Sequence, residues 1–232
     1  MLQRPDQFRS GALHVADFSL PHGAYRCLYV DPNWKFKPWS HRGEGKGASR
    51  HYCTAHIDEI CRLPVGDIAA ADAVLFLWVV QAMIPEALCA LNAWGFEFKT
   101  VAFVWVKMPP TWDPRQLSLA PRIEPRLGLG YHTRSGTEQC WLAIRGKGYK
   151  RCAQDVPQVL HAPIREHSRK PDEFVTRIER LVGDVPRAEL FARTIRPGWD
   201  ASGHELRRFN VTEAVRSAPH PLDIPPFLRR AL

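Results

Sequence analysis

Short apolar runs alternate with helical patterns along this chain, and that alternation limits the fold more than any other feature. The runs are rich in β-branched and aromatic residues and lack the polar alternation of half-exposed strands, so we predict strands buried on both faces. They are YRCLYVD (25–31), DAVLFLWVV (72–80), TVAFVWV (100–106), EQCWLAI (138–144) and RAELFA (187–192).

One helix is predicted between the second and third of these runs. Ile84, Leu88, Leu91 and Trp94 recur at helical spacing, and Gly95 follows as a stop signal. Strand, helix and strand in succession indicate a β-α-β unit.

A second helix is predicted to begin at Pro171, which suits a first helical position, and to end before Gly183. Its apolar face consists of Phe174, Ile178 and Leu181. Buried strands that alternate with helices predict an α/β fold, with a mostly parallel sheet and helices on both of its faces. Ligands of such sheets bind at the carboxyl ends of the strands.

Composition narrows the class of partner. Lysine plus arginine number 32 and aspartate plus glutamate 24, a formal charge of +8, which favours a polyanionic partner such as nucleic acid. The six cysteines form no C-x-x-C pair, so neither a zinc site nor a disulfide framework is indicated, and we expect a reducing cytoplasm. No apolar stretch approaches the length of a membrane span, so we expect a soluble chain.

Asp31, Pro32, Asn33 and Trp34 stand where the first predicted strand ends. An acid there is often only a cap on the next turn, and Pro-Asn is a common turn pair. A carboxylate and a proline carbonyl can also accept both N–H bonds of one exocyclic amino group, while an indole stacks on the ring that bears it. Such a site orients the nitrogen lone pair toward an electrophile without a strong base.

Further blocks follow this tetrapeptide in a fixed order: HYCTAHIDEICRLPV, VLFLWV, ALNAWGFEFKTVAFVWVK, GLGYHTRSGTEQCWLAIRGK, REHSRKPDEFVTRIERLV, ELFAR and RPGWDASGHEL. Together they resemble the S-adenosylmethionine-dependent adenine-N6 methyltransferases typified by the catalytic subunit of the messenger-RNA N6-adenosine methyltransferase, and more closely its shorter bacterial and phage relatives. The resemblance implies a Rossmann-like class I methyltransferase fold in permuted order, with the catalytic motif ahead of the cofactor-binding strand. It implies a domain at 23–206, between an N-terminal extension (1–22) and a basic, proline-containing tail (207–232).

The resemblance also assigns roles to individual residues. The catalytic position is taken by the tetrapeptide Asp31, Pro32, Asn33 and Trp34. In this assignment the Asp31 carboxylate and the Pro32 carbonyl hold the target amino group. The residues that match cofactor contacts are Asp31, Lys170, Glu189, Arg193, His204 and Glu205, and those assigned to the substrate are Trp34, Tyr52, Tyr131 and Arg134. The alternative for Lys170 is a lysine exposed at the start of a helix. The alternative for Glu189 and Arg193 is an ordinary surface ion pair.

Two positions depart from the family pattern. Asn33 replaces a second proline, which predicts a less rigid turn, and His204 replaces an asparagine by a side chain that titrates.

The function that the resemblance implies is methyl transfer to the N6 amino group of adenine in nucleic acid, with the base flipped out or single-stranded, and we expect DNA rather than RNA. A catalytically silent relative, which binds nucleic acid or supports an active partner subunit, is the alternative. Relatives in this family occur alone and in pairs, so the sequence leaves open whether the protein forms a homodimer or a heterodimer. The expected location is the cytoplasm of a bacterial or phage-infected cell.

Overall fold

A computed structural model describes residues 20–34, 56–113, 125–128, 132–165, 169–203 and 206. The strands within these ranges are β1 (Tyr25–Val30), β2 (Ala69–Val79), β3 (Glu97–Met108), β4 (Thr137–Arg145), β5 (Val159–Pro163), β6 (Arg187–Leu190) and β7 (Asp200–Ser202). The helices are α1 (Ile57–Cys61), α2 (Val65–Ile68), α3 (Ile84–Ala93) and α4 (Glu173–Val182), with a 3-10 turn at Gln81–Met83.

These strands form one sheet in the order β5-β3-β4-β2-β1-β6-β7. β1 is parallel to β2 and β6, β6 is parallel to β7, and β5 is parallel to β3. β4 lies between β2 and β3 and is antiparallel to both. The carboxyl ends of the parallel strands and the beginning of β4 therefore share one edge of the sheet. The predicted fold class, a mostly parallel Rossmann-like sheet, is confirmed.

Both faces of the central strands are covered, as their sequence predicts. Leu28 and Val30 of β1 face a core that α1, α2 and α3 complete, whereas Cys27 and Tyr29 face a second core that includes Phe174 of α4. Because successive residues of a strand point to opposite faces, β1 contributes to both cores. The helices lie on both sides of the sheet, and β1, an interior strand next to the central β2, places Asp31 at the shared edge.

Helix α3 has a different buried face from the one predicted. Leu91 and Trp94 are buried, but Ile84 and Leu88 are 37% and 41% exposed. The face that packs against the sheet consists of Ala87, Ala90, Leu91 and Trp94. These positions have the same helical period, and the two alanines let the helix approach closely. Gly95 ends the helix with φ +75°, as expected.

Helix α4 and strand β3 give one confirmation and one correction. Phe174 and Ile178 of α4 are buried, and Gly183 ends the helix with φ +70°, as predicted. The prediction that the run 100–106 of β3 is buried on both faces was wrong at Thr100, which is exposed, whereas Phe103 and Trp105 are buried. Within the described ranges, β5 pairs with β3 from Val104 onward, so the part of β3 before Val104 pairs with β4 alone.

Candidate active site

The turn after β1 is fixed to β2 by hydrogen bonds. The Trp34 backbone N–H donates to the Pro32 carbonyl at 2.8 Å, and the Trp34 indole Nε1 donates to the Trp78 carbonyl at 2.9 Å. The Trp78 indole in turn donates to the Tyr29 hydroxyl at 2.7 Å. A carbonyl oxygen has two lone pairs, so Pro32 keeps one for a ligand. The turn is therefore held in place although Asn33 replaces a proline.

Trp34 packs in the core of the protein. Its side chain is 3% exposed and belongs to the cluster that contains Val30 and Leu77. The indole thus anchors the turn, a structural role that the sequence did not suggest. Stacking of Trp34 on a substrate base stays a prediction, as does the assignment of Asn33, which is half-buried.

Lys170 reaches Asp31 across 139 positions of sequence. Its Nζ donates to Asp31 Oδ2 at 2.7 Å, and the lysine side chain is only 10% exposed. Burial lowers the pKa of Lys170, but Asp31 and Glu138 outweigh that effect and raise it. The side chain is therefore a buried ammonium, and the alternative of a lysine exposed at a helix start does not hold.

Glu138 and Lys107 extend this charge cluster, and sequence reasoning missed both. Lys170 Nζ lies 3.3 Å from Glu138 Oε2, and Lys107 Nζ donates to Glu138 Oε1. Burial opposes ionisation of Glu138, but Lys170 and Lys107 reverse this and lower its pKa to about 2. The available signal was an acid at the first position of the predicted buried strand EQCWLAI, because a buried acid requires a partner.

Glu189 lies on β6 beside β1, with Tyr29 as its partner in the register of β1 and β6. Its Oε2 accepts a hydrogen bond from Arg196 Nε at 3.0 Å, and the side chain is 13% exposed. Burial raises the pKa of Glu189 against the opposing effect of Arg196. An ordinary surface ion pair does not describe this carboxylate.

A cavity at the edge of the sheet brings four of the predicted residues together. Asp31, Lys170, Glu189 and Arg193 all line it, together with Phe191. Phe191 has φ +61°, which is strained for an aromatic residue, and such strain concentrates at functional sites.

Gly203 closes in on the same region from the end of β7. A Cβ atom at this position would lie 2.4 Å from the Ala192 carbonyl oxygen, so only glycine permits this approach. The backbone after β6 is thus held against the backbone after β7, next to the cavity.

The remaining predicted residues do not all fall in the described ranges. Tyr52, Tyr131, His204 and Glu205 lie outside them. Arg134 is described: its Nε donates to the Gly128 carbonyl at 2.6 Å. Its assignment to the substrate stays a prediction.

Neither a metal-binding cluster nor a membrane-spanning helix is present in the described part of the chain. It contains no group of three or more histidine, cysteine, aspartate or glutamate side chains placed to hold a metal ion. None of the helices within the described ranges combines the length and the apolar character needed to cross a bilayer.

Comparison with known proteins agrees with this geometry. Residues 25–205 match the MT-A70 family. The Type II methyltransferase M.MunI of Mycoplasma sp is 31% identical over 203 residues, which cover 81% of this chain and 80% of that protein. The N(6)-adenosine-methyltransferase catalytic subunit METTL3 of Homo sapiens is 31% identical over 188 residues, or 79% of this chain and 28% of that protein. The MT-A70-like N(6)-adenosine-methyltransferase of Arabidopsis thaliana is 30% identical over 198 residues, which cover 84% of this chain and 26% of that protein.

The chain thus covers most of M.MunI but little more than a quarter of the METTL3 and plant proteins. The family match spans every strand of the sheet and the residues that line the cavity. Both the fold and the order of its motifs agree with what the sequence resemblance implied. The chain belongs to the MT-A70 family of methyltransferases.

Proposed function

We propose that this protein transfers a methyl group from S-adenosylmethionine to the N6 amino group of adenine in nucleic acid. The observation that carries the proposal is the Asp31 carboxylate at the end of β1, which lines one cavity with Lys170, Glu189 and Arg193. An acceptor for an amino group and charged groups for a cofactor thus share one site.

The residues around the cavity fit this methyl donor. Lys170 offers an ammonium for the cofactor carboxylate, Glu189 offers an acceptor for hydroxyl groups, and Phe191 offers an aromatic wall. The close approach of Gly203 to Ala192 leaves backbone in reach of a ligand. When bound, S-adenosylmethionine supplies a methyl carbon whose bond to sulfur breaks as its bond to the amino nitrogen forms.

Asp31 and the Pro32 carbonyl orient the target amino group. Each accepts one N–H bond, so the nitrogen lone pair points away from both and toward the methyl carbon. The nitrogen loses one proton as it is methylated, and that proton leaves to water past the part-exposed Asp31. The buried Trp34 keeps the two acceptors in register with β2.

The substrate that we propose is DNA with the target base flipped out or single-stranded. A base inside a duplex hides its amino group, so it has to leave the stack to reach Asp31. We favour DNA over RNA because the likeness to the Type II methyltransferase M.MunI covers 80% of that protein, whereas the likeness to METTL3 covers 28%.

The test is transfer of labelled methyl groups to adenine-containing DNA and RNA oligonucleotides, with the modified base identified by mass spectrometry. We expect N6-methyladenine. Nucleic-acid binding without transfer at saturating S-adenosylmethionine would instead support the catalytically silent alternative that Asn33 raises.

Asp31→Ala is the decisive variant. We expect it to abolish transfer while the affinity for S-adenosylhomocysteine, measured by calorimetry, changes by less than about threefold, because Asp31 acts on the amino group. Asp155→Ala is the matched control, since Asp155 is an exposed acid paired with Arg180. An active Asp31→Ala protein would contradict the proposed mechanism.

A further inference from the structure

Four charged side chains of alternating sign lie in a row at the proposed amino-group site. They are Asp31, Lys170, Glu138 and Lys107. The Lys170 ammonium is placed between two carboxylates, 2.7 Å from Asp31 Oδ2 and 3.3 Å from Glu138 Oε2. It thus has two anionic partners within reach and is closer to Asp31.

The proposed function conflicts with this resting arrangement. Asp31 has to accept an N–H bond from the target amino group, and the Lys170 ammonium competes for the same carboxylate. Positive charge also builds on the amino nitrogen as the methyl group arrives, and a neighbouring ammonium repels it. The Lys170 side chain is only 10% exposed, so water and salt screen this repulsion weakly. Lys170 therefore has to loosen its contact with Asp31 without leaving the site.

Glu138 offers the place to which Lys170 can move. A displacement of roughly 0.5 Å would bring the ammonium from 3.3 Å to the ordinary length of a charged hydrogen bond, about 2.8 Å. The Trp78 ring, whose centroid is 5.2 Å from Lys170 Nζ, lies against the ammonium and stabilises it by a cation–π interaction.

We propose that Glu138 is a positioning residue for methyl transfer: it takes over Lys170 when the amino group of the target base engages Asp31. This inference rests on the proposed function and adds to it a residue that acts through Lys170. Glu138 suits the role because it remains ionised. Burial disfavours its charge, but Lys170 and Lys107 keep its pKa at about 2, so it does not act as a base at neutral pH.

The test compares Glu138→Gln with the wild-type protein. Glutamine keeps the size of the side chain and removes its charge. Single-turnover transfer to an adenine-containing single-stranded DNA oligonucleotide is measured at saturating S-adenosylmethionine, and binding of S-adenosylhomocysteine is measured by calorimetry. We expect the transfer rate to fall at least about tenfold while the dissociation constant changes by less than about threefold. Glu97→Gln, at an exposed ion pair on β3, is the control.

Thermal unfolding of each variant separates positioning from a loss of fold. If Glu138→Gln does not fold, Glu138→Asp replaces it: the carboxylate is kept but withdrawn by roughly one C–C bond, about 1.5 Å. A slower transfer with unchanged cofactor affinity is then expected. A transfer rate equal to that of the wild type in the folded variant overturns the inference, and so does a loss of cofactor affinity that accounts for the whole effect. Absence of transfer by the wild-type protein overturns the proposed function as well.

Discussion

At the scale of single residues, the ionised Glu189 side chain reduces the stability of the folded protein. Its burial raises its pKa, so folding disfavours its charged form. The resulting loss of stability is present when Glu189 is ionised and disappears as the pH falls below its pKa in the folded protein. Polar groups placed for a ligand often reduce stability in this way.

We therefore predict that Glu189→Gln raises the midpoint of thermal unfolding at pH 8 and weakens binding of S-adenosylhomocysteine. The gain should shrink as the pH is lowered through the folded pKa of Glu189, because the wild-type side chain is then protonated too. Arg196 keeps Asp172 as a partner at 2.8 Å in the variant. Calorimetric scans between pH 4 and pH 8 are the measurement, with exposed Glu97→Gln as control. A gain that is the same at every pH would contradict the explanation.

Sequence reasoning found the residues that carry motifs and missed those that depend on packing. Asp31, Lys170, Glu189 and Arg193 were predicted from motif blocks, and all of them line the cavity. Glu138 was not predicted, because its role comes from Lys170 and Lys107, which belong to other segments of the chain. An acid in a buried strand indicates that a partner is needed, but one sequence does not show which distant residue supplies it.

At the scale of elements, helix α4 is attached to strand β5 by one buried arginine. Arg177 Nη1 donates to the carbonyl of Pro157, just before β5, at 2.7 Å and to the carbonyl of Val159, the first residue of β5, at 3.1 Å. Its guanidinium also lies over the Phe174 ring, and the side chain is 7% exposed. Arg177 thus adds polar contacts at the start of β5 to the apolar packing of Phe174 and Ile178 against the sheet.

We predict that Arg177→Met lowers the free energy of unfolding by about 2 kcal/mol, because it removes hydrogen bonds from a charged donor at a buried site. Arg180→Met is the control: this side chain is 46% exposed and pairs with Asp155, so a loss under about 1 kcal/mol is expected. Urea unfolding followed by circular dichroism measures both. Equal losses of unfolding free energy in the two variants would show that the hydrogen bonds of Arg177 stabilise the protein no more than an exposed ion pair does.

Strands and helices were predictable as far as local patterns define them. The five predicted strands and the two predicted helices exist, but the sequence did not show that β4 lies between β2 and β3. Strand order depends on pairing between distant segments. Short β7 has too few residues for a pattern, and the buried face of α3 was misjudged because alanines, not the larger residues, contact the sheet.

At the scale of the whole molecule, the excess of positive charge should govern how substrate is held. With a net charge of +8, binding of DNA is expected to release counterions from its phosphates. We predict that the affinity for a single-stranded oligonucleotide falls about tenfold or more between 50 and 200 mM salt, as three or more phosphate contacts require. Fluorescence anisotropy measures it, with binding of S-adenosylhomocysteine as the comparison. An affinity for DNA that is independent of salt would exclude the electrostatic account.

The position of β1 between β2 and β6 has a consequence for synthesis on the ribosome. Cys27 of β1 pairs with Arg187 of β6, 160 positions later in the chain. At about 5–20 residues per second, β1 waits roughly 8 to 30 s for that neighbour, and until then the backbone N–H and C=O groups along one edge of β1 lack their partners in β6. The strand that carries Asp31 is thus among the first to be made and among the last to be completed. A protein truncated before β6 would lack Glu189, Phe191 and Arg193, and with them one wall of the cavity that Asp31 and Lys170 also line.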